Sequence, residues 1–238
     1  MSGLLGIESA TTSVSAAIWE DGVIVASFAC AGARRQTEVL HPAIALLLQS
    51  TGRAAADLDG VVVDVGPGRF TGVRVAMAAA KALAFGAGVP ITGCLSTAIL
   101  LEDARTDDAV AVVDLRRGEV AALFAGEDPL AETIRMTPSA LGQLLAARGR
   151  TAALLVGDGA VEYEAEIASG AGCAVRVCGI EHAAPTASGA CRLAGRGEGT
   201  FQAVDPAMLE AVYLRGADVR LGWATRDLAA SPTRMEVG

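Results

Sequence analysis

The sequence predicts an α/β protein built as two similar lobes, and three observations carry that expectation. Short apolar runs of buried-strand length (residues 4–9, 61–65, 109–115 and 152–159) alternate with longer stretches of helical periodicity. The order hairpin, helix, strand, helix, strand occurs twice, a weak internal repeat of element order. Between the halves lies the first sustained polar run, residues 103–108, which sets expected lobes of 1–105 and 106–238 and leaves open whether the tail packs back on the first lobe. With 238 residues, 52% hydrophobic and 4% aromatic, the chain can bury a sizeable core made of Ala, Val, Leu and Ile.

In the first half, residues 4–9 read as a buried strand and residues 10–12 as a small polar turn. Residues 13–19 place Val14, Ala16 and Ile18 on one face at strand periodicity. Asp21–Gly22 is a two-residue hairpin signal leading into a third strand at 23–28, so three antiparallel strands open the protein. A helix over 37–51 carries Leu40, Ile44, Leu47 and Leu48 at core-facing spacing and ends at Gly52. The strand at 61–65, a glycine-rich turn, a second helix, a strand at 90–92 and a helix near 97–104 close this half.

The second half starts in the same way, with a hairpin of residues 109–115 and 119–126 turning at Arg116–Arg117–Gly118. Pro138 opens a helix backed by Leu141, Leu144 and Leu145. A strand at 152–159 ending in glycines, a helix over 161–168, a strand at 174–178 and a helical stretch at 187–193 follow, then a polar loop at 195–200. Such alternation implies a mostly parallel sheet covered on both faces in each lobe, with the hairpin as an antiparallel edge. By analogy of element order, two lobes in tandem describe the duplicated actin-like, ribonuclease-H-like (ASKHA) architecture of actins, sugar kinases and chaperone ATPases.

Charge and cysteine usage narrow the function classes. A net charge of −8, with Lys81 as the only lysine, lacks the phosphate-neutralising surface that nucleic-acid affinity requires, so RNA is expected only within a complex. The pairs Arg34–Arg35 and Arg116–Arg117 read as solvated turns. Five scattered cysteines (Cys30, Cys94, Cys173, Cys178, Cys191) without a CxxC point to free thiols in a reducing compartment. No basic segment precedes the first strand, and the longest apolar stretch is interrupted by Arg74, Lys81 and Gly86. The expectation is a cytoplasmic protein with no membrane segment.

The stretch GPGRFTGVR, residues 66–74, is the most distinctive in the chain. Gly66 and Gly68 permit unusual backbone angles, Pro67 stiffens the turn, and Thr71 is placed to cap the following helix. A strand, tight turn and helix N-terminus can hold an anion on oriented N–H groups. The same pattern also serves simply to pack a helix closely on a sheet, and it is neither a Walker loop nor the dinucleotide fingerprint. Gly66, Gly68 and the hydroxyl-bearing Thr11 and Thr12 are therefore weak candidates for a phosphate or nucleotide contact. Equally, Thr11 and Thr12 satisfy turn amides.

GIESATTSVSAAIWEDG, GPGRFTGVR, VPITGCLST and the late VYLR, taken together and in this order, resemble the bacterial TsaB (YeaZ) family. Glu8 stands where that family usually has Asp, Arg69 where it has Ser, Gln36 where it often has His, and Leu115 departs from the pattern DARRGEV. The resemblance implies a two-lobed, non-catalytic companion of TsaD, the subunit that transfers a threonylcarbamoyl group onto adenosine 37 of tRNA, with the ATPase TsaE as third component. It also implies a homodimer in isolation and no cofactor of its own. The catalytic relative binds a metal through an i, i+4 histidine pair, whose positions fall at about Thr97 and Leu101, neither of which supplies an imidazole.

The residues agree on chemistry. The two histidines, His41 and His182, do not form an HxxxH site, and no GxSxG elbow supports the peptidase label attached to such proteins. A stand-alone actin-fold ATPase or phosphotransferase is the rival reading, although the turn 8–12 lacks the glycine that lets a backbone approach phosphate. The second helix is apolar nearly all round: Val73, Val75, Met77, Leu83 and Phe85 lie among alanines, and Arg74 and Lys81 are its charges. A helix of this kind needs cover on both faces. With the first helix it gives a predicted partner interface of His41, Ile44, Leu48, Arg74, Met77, Ala78, Lys81 and Phe85.

Overall fold

Each of the predicted strands forms, and they gather into two sheets. The computed structural model describes residues 3–32, 36–179, 183–196 and 201–214. His182, the pair Arg34–Arg35 and the tail from Arg215 lie outside the described residues.

The first sheet opens with β1 (Gly3–Glu8), β2 (Val14–Glu20) and β3 (Val23–Cys30), successive antiparallel neighbours. Asp21 and Gly22 both take positive φ, 45° and 95°, as a two-residue primed turn demands. Helix α1 (Gln36–Ser50) ends at Gly52, which adopts φ 66°. One turn of 3₁₀ helix (Ala55–Asp57) leads to β4 (Gly60–Asp64), parallel to β1, and α2 (Phe70–Ala87) leads to β5 (Ile91–Cys94), parallel to β4. Helix α3 (Ser96–Ala104) then crosses to the second lobe.

There β6 (Ala109–Arg116) and β7 (Glu119–Phe124) form the hairpin, followed by a single helical turn α4 (Pro129–Glu132) and β8 (Ile134–Met136). Helix α5 (Pro138–Ala147) starts at Thr137, whose side chain accepts from Ala140 N at 3.2 Å. Strand β9 (Ala152–Val156), α6 (Asp158–Ala171), β10 (Ala174–Val177), α7 (Ala187–Gly195) and β11 (Ala203–Val204) complete the described chain.

The strand orders are β11-β5-β4-β1-β2-β3 and β10-β9-β6-β7-β8. Position by position, β6, β7, β8, β9 and β10 repeat β1, β2, β3, β4 and β5, so this is the duplicated actin-like fold. The duplication is more complete than the sequence pattern suggests. Strand β8 is three residues long and carries one exposed residue between two half-buried ones, too short a run for the alternation test to register.

Helices α1 and α2 cover one face of the first sheet, over a core of Leu5, Ile7, Leu40, Ile44, Val61, Val63, Val73 and Met77. Helices α5 and α6 cover the matching face of the second sheet over Val110, Val112, Leu141, Leu145, Leu155 and Ile167. The last helix of each half changes sides. Leu100 on α3 packs with Ala111, Val113 and Leu123 of the second sheet, whereas Ala187 and Cys191 on α7 pack with Ala17 and Trp19 of the first.

Helix α7 and residues 201–212 thus return to the first lobe, and β11 extends its sheet beside β5. The polar run at 103–108 marks the crossing, but it does not separate α7 from the first sheet. Asp103 itself fastens the exchange: it accepts from Thr186 N and Oγ1, both at 3.0 Å, and pairs with Arg192 at 2.6 Å. Glu102 pairs with Arg196 at 2.6 Å.

Candidate functional site

Two places hold the residues singled out above: the ends of the central strands facing the second lobe, and the outer surface of α1 and α2.

At the strand ends, β1 finishes on Glu8 and β4 on Asp64, side by side and both fully buried. Glu8 accepts from Ala10 N at 2.8 Å through Oε1 and from Ser15 Oγ at 3.2 Å through Oε2. Asp64 Oδ1 accepts from Gly66 N and from Ser96 Oγ, both at 2.7 Å, while its buried Oδ2 has no partner. Burial pushes the Glu8 carboxyl well above the ordinary range, and the neighbouring Asp64 adds to the rise. Burial lifts Asp64 to about 7, against the hydrogen bonds from Ser96 and Gly66. Both carboxyls are closed off from solvent, and Asp64 clamps the start of α3 to the end of β4.

The glycine turn does not form an anion cradle. Arg69 N donates to Ala10 O at 2.6 Å, and Ser9 Oγ donates to Gly72 O at 2.8 Å, so the turn 9–12 lies directly on the N-terminus of α2. A Cβ on Gly68 would collide with the Ala10 carbonyl and one on Gly72 with that of Ser9. Close backbone approach is what these glycines serve. Gly66 donates its N–H to Asp64 and its carbonyl accepts from Ser96 N at 2.8 Å. Thr11 is buried, sharing a 3.3 Å contact with Ser13 Oγ, and Thr12 is half-buried beside it. The four weak phosphate candidates thus fill their own turn. The predicted Thr71 cap is corrected too: the N-cap is Arg69, without a side-chain capping bond, and Thr71 is exposed inside the helix.

The second lobe repeats the placement of carboxylates. Asp114 on β6 accepts from Arg116 N at 2.7 Å and pairs with the Arg116 guanidinium at 3.1 Å, and its own N–H donates to Asp158 Oδ1 at 2.9 Å. Burial raises Asp158 to about 6. Arg69, from the first lobe, lies in the field of Asp158 and Asp114, but burial and the nearby Arg116 lower its basicity. Among the described residues no cluster of three His, Cys, Asp or Glu side chains is arranged to hold a metal ion. Thr97 is buried against Thr133 at 3.1 Å, and Leu101 packs into the core between the lobes.

The outer surface of α1 and α2 is different in kind. Helix α2 is 18 residues long with a mean hydropathy of 1.2, long and apolar enough by composition to cross a membrane. In the fold it is a core helix by one face: Val73, Ala76, Met77, Ala80 and Ala84 pack on the sheet. Its other face carries Arg74, Ala78 and Ala82, all exposed, Lys81, half-buried, and Phe85, 84% exposed. Between this face and α1 runs a groove of about 400 Å³, lined by Thr37, His41, Phe70, Thr71, Arg74, Val75, Ala78, Ala79 and Ala82. On α1, His41 and Leu46 are exposed and Leu48 is half-buried, with the His41 ring 3.3 Å from Thr37 O.

Of the eight predicted interface residues, six therefore lie at least partly on this surface. Ile44 and Met77 do not: at 4% and 8% exposure they point into the core. The helical period sends positions 40, 44 and 47, and 73, 77, 80 and 84, to the sheet. Sequence reasoning missed two residues at the groove's mouth. Phe70 begins α2, and Tyr213 arrives from the far end of the chain, its ring 5.3 Å from that of Phe70. Both belong to motifs quoted above, yet nothing in either motif says that they meet.

The family described as TsaD, tRNA N6-adenosine threonylcarbamoyltransferase, matches residues 30–185. The tRNA threonylcarbamoyladenosine biosynthesis protein TsaB of Escherichia coli is 34% identical over 121 residues, covering 49% of this chain and 52% of that protein. A tRNA N6-adenosine threonylcarbamoyltransferase of Geotalea uraniireducens is 33% identical over 106 residues, covering 38% of this chain and 31% of that protein. The match thus spans about half the length of the first of these curated relatives and a third of the second. Among solved structures, YeaZ from Pseudomonas aeruginosa superimposes with a TM-score of 0.71 at 27% identity, over 90% of this chain and 100% of that one.

Proposed function

The chain belongs to the TsaD family of threonylcarbamoyltransferase-related proteins, within it to the TsaB (YeaZ) branch, and we propose that it serves tRNA threonylcarbamoyladenosine biosynthesis as a non-catalytic subunit. In this reading it docks on a TsaD-like catalytic subunit and stabilises it in the cytoplasm, with a TsaE-like ATPase as the third component. The tRNA is met only through the assembly, and the isolated chain pairs with itself through the docking face.

The observation that carries the reading is the open groove between α1 and α2, apolar and floored by alanines. Small residues let another helix approach closely, and a surface of this kind buries readily against a partner. The strand ends support the same view from the other side. Glu8 and Asp64 are fully buried, and the N-cap amide of α2, Arg69 N, is taken up by the Ala10 carbonyl. An acidic surface with net charge −8 leaves the tRNA contacts to other subunits.

Co-expression with the TsaD-like subunit of the same cell, followed by gel filtration, tests this reading. We expect a complex that Ala78→Glu and Ala82→Glu each abolish while circular dichroism and thermal unfolding stay unchanged, since both positions line the groove and are exposed. Unimpaired co-elution of both variants would remove the groove from the function. Tight Mg-ATP binding with turnover by the chain alone would favour a stand-alone ATPase instead.

A further inference from the structure

Arg74 is the one full charge among the residues lining the groove, and it is held rather than loose. Its guanidinium carbon sits 3.8 Å from the centre of the Phe70 ring, one helical turn earlier on α2. Its Nε donates to Tyr213 Oη at 3.4 Å, and the rings of Phe70 and Tyr213 meet at 5.3 Å with a 40° tilt. Among the described residues no carboxylate pairs with Arg74. A guanidinium fixed by a ring and a hydroxyl keeps a rigid fork of N–H donors, the geometry that binds a carboxylate through two parallel hydrogen bonds.

Tyr213 is placed there by anchors on both sides. Val212 N donates to Val65 O at 2.8 Å, at the end of β4, and the Leu214 carbonyl accepts from Arg135 of the second lobe at 3.1 Å. The segment crosses from the first sheet to β8 and sets Tyr213 over the start of α2.

We propose that Phe70, Arg74 and Tyr213 form a carboxylate anchor at the mouth of the groove, and that the occupant is a partner's amphipathic helix presenting an Asp or Glu to Arg74. Arg74 and Phe70 border the site, and Tyr213 is the positioning residue. This rests on the docking role proposed above and specifies what the partner must offer. A trough between two helices floored by Val75, Ala78, Ala79 and Ala82 fits a helix laid along it. Its fixed charge is positive, Lys81 lies further along the same helix, and His41 lines the groove, on a chain whose net charge is −8. The complementary helix is apolar with an acidic residue at its edge. Self-pairing of the isolated chain through this face brings a second Arg74 and Lys81 to the same trough, so it is the weaker pairing, and an acidic helix displaces it.

The test is calorimetric titration of the full chain against the TsaD-like partner at about 0.05 M and 0.5 M salt, where screening separates charge pairing from apolar burial. We expect Arg74→Ala to weaken association about 10–100-fold and to flatten its salt dependence, as the loss of a charge-assisted pair does. Tyr213→Ala is expected to weaken it about tenfold and Tyr213→Phe several-fold, and the Arg74→Ala/Tyr213→Ala pair to bind no worse than Arg74→Ala alone, since the two act as one unit. Tyr213→Phe keeps the ring and so reports the hydroxyl even if the alanine variant loses stability. Loss of binding in Ala78→Glu with Arg74→Ala within twofold of the parent would overturn the anchor and leave the groove as the docking face. Full binding by both would overturn the docking role itself. Self-association that strengthens with salt and responds to Arg74→Ala, with the heteromer indifferent, would identify a second copy as the occupant and overturn the acidic helix.

Discussion

The two lobes share a strand order yet treat their paired helices in opposite ways. In the second lobe, α5 and α6 lie backbone to backbone at Gly142 and Gly170: a Cβ on Gly142 would strike the Ile167 carbonyl. In the first lobe, α1 and α2 stand apart, and the space between them is the groove of about 400 Å³. One pair closes on itself and the other leaves an open trough between its helices. The same platform thus occurs twice, with glycines at the helix contact in one copy and alanines along the groove in the other.

Gly142→Val breaks the comparison most severely. Prying α5 from α6 is expected to destabilise the protein by about 3 kcal/mol, as overpacking at a backbone contact does, read as a lower denaturant midpoint. A full loss of partner binding at a temperature where this variant stays folded would show that the second pair is not independent of the first.

The strand-end carboxyls sharpen the comparison through pH. Asp64 has its folded pKa raised from 3.8 to about 7, so the folded state holds the proton more tightly than the unfolded chain. Stability from this group is therefore lost as pH rises from about 4 to about 7. Asp64→Asn preserves an acceptor for Ser96 and Gly66 and removes the titration. It is expected to raise stability by about 2 kcal/mol at pH 8 and to leave it unchanged near pH 4, measured by denaturant titration at both. In the second lobe Asp158 is raised less, to about 6, and faces Arg69 and Arg116, so Asp158→Asn should gain less.

The smallest effect is local to the open pair. Gly86 lies on the exposed side of α2 with nothing near the position of an added Cβ. Gly86→Ala should stabilise the chain by about 0.5–1 kcal/mol through helix entropy alone, seen as a small rise in midpoint.

Much of this was legible in order along the chain. The hairpin at Asp21–Gly22, the helix stop at Gly52, the inward stripe of Leu40, Ile44 and Leu47 and the strands of both halves all follow from local pattern, because each depends on neighbours within one or two turns. What escaped was whatever long-range packing imposes. Ile44 and Met77 looked available to a partner because an alanine-rich helix shows little contrast between its faces. Thr71 looked like a cap because helix starts are read from residue type, whereas the contact between the turn 9–12 and residues 68–72 set the boundary at Arg69.

The sequence by itself determined the two-lobed α/β plan, the absence of an HxxxH pair and the apolar character of α1 and α2, since composition and period suffice for each. Tertiary structure alone decided that α3 and α7 exchange lobes, that Glu8 and Asp64 share a sealed pocket and that Tyr213 stands over Arg74. The contacts of α7, of the carboxyl pair and of Tyr213 join residues 56 to 174 positions apart, and at such separations no local signal exists: the geometry arises only when the sheets close and fix where distant side chains meet.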